Sequence, residues 1–104
     1  MDAIHNEIRD AVEKELEHAN EMFPMFASYH EAIAVIAEER DEAADAMQTV
    51  REIFETAWRG VKRDNDTVIL SSLNRLMHEA EHLAIEACQI AAMCEKAIQS
   101  AKEF

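Results

Sequence analysis

Two groups of acids stand at equal distances from one short polar stretch. Glu38-Glu39-Arg40-Asp41-Glu42 ends 22 residues before Asp64, and Glu86-Ala87-Cys88-Gln89 begins 22 residues after it. If the stretch around Asp64 is the turn of a helical hairpin, residues whose numbers sum to about 128 lie at one height. Glu42 then faces Glu86, and Glu39 faces Gln89. Carboxylates converging from two helices make a hard, oxygen-rich site suited to Mg²⁺. With 22 Asp and Glu against 10 Lys and Arg, the chain needs such a cation to hold a phosphorylated ligand.

The helical wheel, at about 100° per residue, sorts these acids. With Ile36 as reference, Glu39 falls near about −60° and Glu42 near about −120°, on the flank shared with Val35, Ala46 and Ile53. Glu38, Asp41 and Asp45 fall on the far side and are expected to face water. In the second segment Glu79, His82, Glu86, Gln89 and Met93 share one flank of the stripe through Leu83. Each segment therefore carries a polar edge beside its apolar stripe, at matching heights. Polar edges also flank any amphipathic helix, so the pattern is not by itself a metal site.

Other combinations are weaker. Glu15-x-x-His18 and Glu79-x-x-His82 match the Glu-x-x-His element of di-iron bundles, but five His among this many Glu produce such pairings by chance. His78 and His82 have the spacing of a zinc or nickel pair and lack an acidic helper such as that of HExxH. They are expected to be exposed. Trp58, Phe54 and Tyr29 would stack on a base, yet residues of this kind more often fill a core or an interface. Arg40 interrupts an apolar stripe, where it would snorkel outward, pair with an acid or reach a phosphate.

The elements that hold these residues are helices. One Gly and one Pro in 104 residues, with Ala, Glu, Leu, Ile and Met dominant, leave little else. A first helix is expected over residues 3–21, with Ile4, Ile8, Val12, Leu16 and Ala19 on one stripe, ended by Pro24. Ser28 and Glu31 make a capping box, so a second helix starts near Tyr29. It runs to about Arg59 on the stripe Ile33, Ile36, Arg40, Ala43, Met47, Val50, Phe54, Ala57, with Gly60 as the stop. Residues 61–66 form the turn, and Asp66 caps a third helix from about Thr67 to Ala101. Its stripe is Leu73, Leu76, Ala80, Leu83, Ala87, Ile90, Cys94, Ala97.

Composition removes several functions. A net charge of −12 opposes binding to nucleic acid or an anionic membrane. No apolar run is long enough to span a bilayer, and MDAIHNEIRD lacks the pattern of a secretory signal. Cys88 and Cys94 diverge on one helix and cannot bridge each other. Free thiols suit a cytoplasmic location. The core is spread thinly in Ala, so self-association is expected to cover the long helical faces.

The stretches HEAIAVIAEERDEAADAM, WRGVKRDND and LAIEACQIAAMCEKA resemble the MazG-like all-α nucleotide pyrophosphohydrolases, in particular the short branch found in phages and prophages. The resemblance covers about residues 23–98. Glu39-x-x-Glu42, preceded by Glu38, matches the family's first acid motif. Glu86-x-x-Gln89 stands where the family has Glu-x-x-Asp, as short phage-type sequences often do. The 43 residues between the motifs exceed the usual gap, but lengthening both arms of a hairpin equally keeps the motifs level. The resemblance implies Mg²⁺ held by carboxylates of both motifs, hydrolysis of a nucleoside triphosphate to monophosphate and pyrophosphate, and a dimer or tetramer.

The expectation is one all-α domain over residues 1–104, an antiparallel long helical hairpin plus a shorter N-terminal helix, in a homo-oligomeric bundle. Glu39, Glu42 and Glu86 would ligate Mg²⁺. Gln89 would position a water or a phosphate, and Glu38 would serve as a base behind the ligands if its helix turned it inward. The alternatives are a non-catalytic helical oligomer that binds a nucleotide or a protein, and a di-iron bundle.

Overall fold

The structure is a computed structural model that describes residues 2–104. Among these residues the chain forms three α-helices and no strand: α1 (Asp2–Met22), α2 (Tyr29–Lys62) and α3 (Asp66–Ser100), followed by a short 3₁₀ turn at Ala101–Glu103. The expected all-α architecture is present, with α2 and α3 as the arms of an antiparallel hairpin and α1 as the shorter helix. No described helix is long and apolar enough to cross a membrane. Contacts group the chain into two compact units, Met1–Asp41 with Glu86–Phe104, and Glu42–Ile85.

The unit Glu42–Ile85 holds the turn. Helix α2 does not stop at Gly60 as expected but continues to Lys62. The reversal uses Asp64, whose φ of 50° is left-handed. Asn65 N–H donates to the Gly60 carbonyl at 2.9 Å and Asp64 N–H to the Val61 carbonyl at 3.2 Å, the paired bonds of a Schellman ending. Asn65, not Asp66, caps α3, its Oδ1 accepting from Val68 N–H at 3.1 Å. The work of Gly60 is closeness. A Cβ there would lie 3.0 Å from Ile69 Cγ1 and 3.2 Å from Val68 Cγ1, so any side chain would push these neighbours back where the arms meet. Ala46, Ile53, Gly60 and Ser72 are buried here.

The other unit contains α1 with the N-terminal part of α2 and the C-terminal part of α3. Its core is Val12, Leu16 and Ala92, with Cys88 and Met93 packed against it. Arg9 donates to both oxygens of Glu95 at 2.7 and 2.6 Å. The connector after Pro24 is held by Phe26 N–H donating to Ser100 Oγ at 3.0 Å, and Phe26 itself is buried. Ser28 Oγ accepts from Glu31 N–H at 3.1 Å, so the expected cap of α2 is formed. Tyr29 meets Phe104 edge-on, with centroids 4.7 Å apart.

The buried faces of α2 and α3 differ from the expected stripes. One half of each stripe is exposed, Ile33, Arg40, Met47 and Phe54 on α2 and Leu73, Ala80, Ala87 and Cys94 on α3. The other half, Ile36, Ala43, Val50 and Ala57 on α2 and Leu76, Leu83, Ile90 and Ala97 on α3, is half-buried. The inward line of α2 is Ala32, Glu39, Ala46, Ile53 and Gly60, all buried or half-buried. That of α3 is Ser72, Glu79, Glu86, Met93 and Ser100. Each line lies one residue to the side, on the flank that carries the acids. The reason is steric. Ala, Gly and Ser allow backbones to approach closely, whereas the larger apolar residues of the neighbouring line would hold them apart. Tyr29, Phe54 and Trp58 are likewise exposed rather than in a core. On α1 the stripe splits, with Val12 and Leu16 buried and Ile4 and Ile8 exposed.

Candidate metal centre

No Gly or Pro interrupts the chain between Pro24 and Gly60 or after Gly60, so both acid motifs fall inside long helices with fixed spacing. Glu39 and Glu42 are separated by three residues of α2 and therefore project from one side of it. Glu86 lies on the inward line of α3. The structure brings the three together: one carboxylate oxygen from each lies within 4.8 Å of those of the other two. Burial is graded across the group. Glu86 is 8% exposed, Glu39 is half-buried and Glu42 is exposed. The group thus has a dry floor and a wet rim.

The dimensions suit a small divalent cation. Ligand oxygens at about 2.1 Å from an octahedral Mg²⁺ lie about 3 Å apart when adjacent and about 4.2 Å apart when opposite. Carboxylate oxygens up to 4.8 Å apart would have to close by as much as about 1.8 Å to become adjacent ligands, a movement that rotation of a Glu side chain supplies. Oxygen-only donors favour Mg²⁺, Ca²⁺ or Mn²⁺ over softer metals. Three carboxylates leave coordination positions for water or phosphate oxygens, which is how Mg²⁺ is commonly held with phosphorylated ligands.

The remaining expected site residues are placed as follows. Gln89 is half-buried, three residues after Glu86 on α3. Glu38, Asp41 and Asp45 are exposed. Arg40 is exposed too and pairs with Asp41 Oδ1 at 3.0 Å, a surface contact worth at most about 1 kcal/mol. His18, His78 and His82 are exposed. His82 Nδ1 lies 3.7 Å from Glu79 Oε2.

One buried charge escaped the sequence reading. Lys96 is 2% exposed, with Nζ 3.3 Å from the Ala19 carbonyl and 5.1 Å from the centre of the Phe26 ring. Burial pushes its ammonium below the ordinary lysine range, and the charge of Glu31 opposes that shift. The sequence carried no signal for it, because the face it shares with Ala92 and Ser100, one helical turn to either side, is turned inward by packing and not by apolar periodicity. No family model, curated protein or solved structure matches the chain.

Proposed function

We propose that the chain is a Mg²⁺-dependent pyrophosphohydrolase acting on a (deoxy)nucleoside triphosphate, with monophosphate and pyrophosphate as products. The observation that carries this reading is the convergence of Glu39, Glu42 and Glu86, drawn from the two motifs that resemble the MazG-like pair. These carboxylates would hold the ion, which when bound neutralises phosphate charge and acidifies a water for attack. Glu86, fixed by burial, anchors one side of the ion. Glu42 at the exposed rim leaves the ligand a way in from solvent. The amide of Gln89 orients a water or a phosphate oxygen by hydrogen bonding. Glu38 faces solvent, so a role for it as base would require α2 to turn about its axis. The same reading puts the protein in the cytoplasm, supported by two free thiols, Cys88 and Cys94.

The neutral Gln89 favours a second reading, a non-catalytic helical protein that binds a nucleotide through Mg²⁺ or binds another protein. One experiment separates the two. The common ribo- and deoxyribonucleoside triphosphates are incubated with protein and Mg²⁺, and pyrophosphate and orthophosphate are measured separately. Pyrophosphate release that requires Mg²⁺ is expected. Mg²⁺-dependent nucleotide binding without any release would select the second reading.

A further inference from the structure

The residues displaced from the hairpin interior form a surface of their own. On α3 the positions spaced by seven from Leu70 are Met77, Ala84, Ala91 and Ile98, and all five are exposed. Three residues after each of the first four stand Leu73, Ala80, Ala87 and Cys94, also exposed. This is an uninterrupted apolar seam with the three–four spacing of a coiled coil, about 42 Å long at about 1.5 Å per residue, and no charge falls on it. Leu70 is 64% and Ile98 69% exposed, levels at which single large apolar residues are ordinary but a full seam is not.

We propose that two copies of the chain pair antiparallel along this outer seam of α3, crossing near Ala84 and Ala87. The proposal is independent of the metal reading.

The profile of the seam says that the partner is another copy. Two helices that cross are closest at the crossing and diverge beyond it. They therefore need small residues at the centre and larger ones at the ends. The seam has Ala80, Ala84, Ala87 and Ala91 at its centre, with Leu70, Leu73 and Met77 before them and Ile98 after. Antiparallel pairing sets Leu73 against Ile98 of the second copy, Met77 against Cys94 and Ala84 against Ala87, so the bulkier pairs fall at both ends and the small ones at the crossing. A parallel pair would stack Leu70, Leu73 and Met77 on themselves at one end only. The antiparallel register also places Glu81 beside Cys88 and Asn74 beside Glu95, so no two carboxylates meet despite the charge of −12 on each chain. The contact is two-fold and closed.

The full-length protein is sized by light scattering, and wild type is expected at no less than twice 11.8 kDa at micromolar concentration. Ala84→Glu should shift the mass to that of one chain with helical circular dichroism unchanged, since Ala84 is exposed and its replacement disturbs no internal contact. Gln48→Glu, exposed and off the seam, should leave the mass unaltered. Met77→Cys under mild oxidation should give a covalent pair bridged between residues 77 and 94, while wild type forms none through Cys94. A monomeric wild type, or an Ala84→Glu protein that keeps the wild-type mass, overturns the interface. A wild-type Cys94–Cys94 bridge, or no bridge from residue 77 to residue 94 in a protein that is otherwise paired, overturns the antiparallel register.

Discussion

At the scale of single residues, the acidic group and the buried lysine make separable demands. Changing Glu39, Glu42 or Glu86 to Gln should weaken Mg²⁺ binding about tenfold or more and lower pyrophosphate release in step, because each loses a charged ligand. Binding is read by calorimetry and release by a coupled pyrophosphate assay. Gln89→Asp should retain activity or raise it, since it adds a carboxylate. Asp45→Asn, exposed on the far face, should change little. Equal indifference to Glu42→Gln and Asp45→Asn would reduce the group to a solvated helix edge. Mg²⁺ should also raise the melting temperature of wild type, by linkage of binding to folding, and fail to do so in the Glu86→Gln protein. Lys96 gives a pH signature. Its folded pKa is depressed from the ordinary 10.5, so between those two values the unfolded chain binds more protons. Stability from this group therefore rises with pH through that window and levels off above 10.5. Urea midpoints should show wild type gaining on Lys96→Met as pH climbs toward that value.

At the scale of elements, the turn between α2 and α3 separates two uses of backbone freedom that sequence alone merges at Gly60. Conformational freedom is needed at Asp64, where a non-glycine residue in the left-handed region carries a cost of about 1–2 kcal/mol. Asp64→Gly should relieve most of it and raise the denaturation midpoint by about 1 kcal/mol equivalent. Absence of a side chain is needed at Gly60. Gly60→Ala gains about 1 kcal/mol of helix propensity. It also forces a methyl against Ile69 Cγ1 at 3.0 Å, on a β-branched side chain with few places to go. Overpacking costs about 1–3 kcal/mol, so the net effect should be destabilising. The two variants should move the urea midpoint in opposite directions.

At the scale of the whole molecule, α3 has two longitudinal faces with different tasks. The inward face, Ser72, Glu79, Glu86, Met93 and Ser100, is mostly polar, with serines near its two ends. The outward face is apolar from Leu70 to Ile98. A helix this divided is poorly explained by the single chain, because its best hydrophobic surface meets solvent. The proposed pairing of chains would account for it and predicts a midpoint that rises with protein concentration, as expected when folding and association are linked. Thermal melts over a hundredfold range of concentration test this, and a midpoint that stays constant would mean that association adds nothing to stability.

From the sequence alone, the all-α class, the three helices, the Ser28–Glu31 cap and the hairpin about Asp64 were all legible, because propensity, capping and apolar periodicity act locally. The level meeting of Glu42 and Glu86 followed from counting residues on either side of the turn. Which line of each helix faces inward was not legible. Periodicity identifies the most apolar stripe and says nothing about what covers it, and in α2 and α3 one half of that stripe is half-buried while the other half faces outward. The inward line was decided by close approach, with Ala32, Ala46, Gly60, Ser72 and Ser100 fitting where larger residues would hold the helices apart. The graded burial of Glu39, Glu42 and Glu86 and the burial of Lys96 follow from that choice, since both depend on the rotation of each helix about its own axis, which only tertiary packing sets.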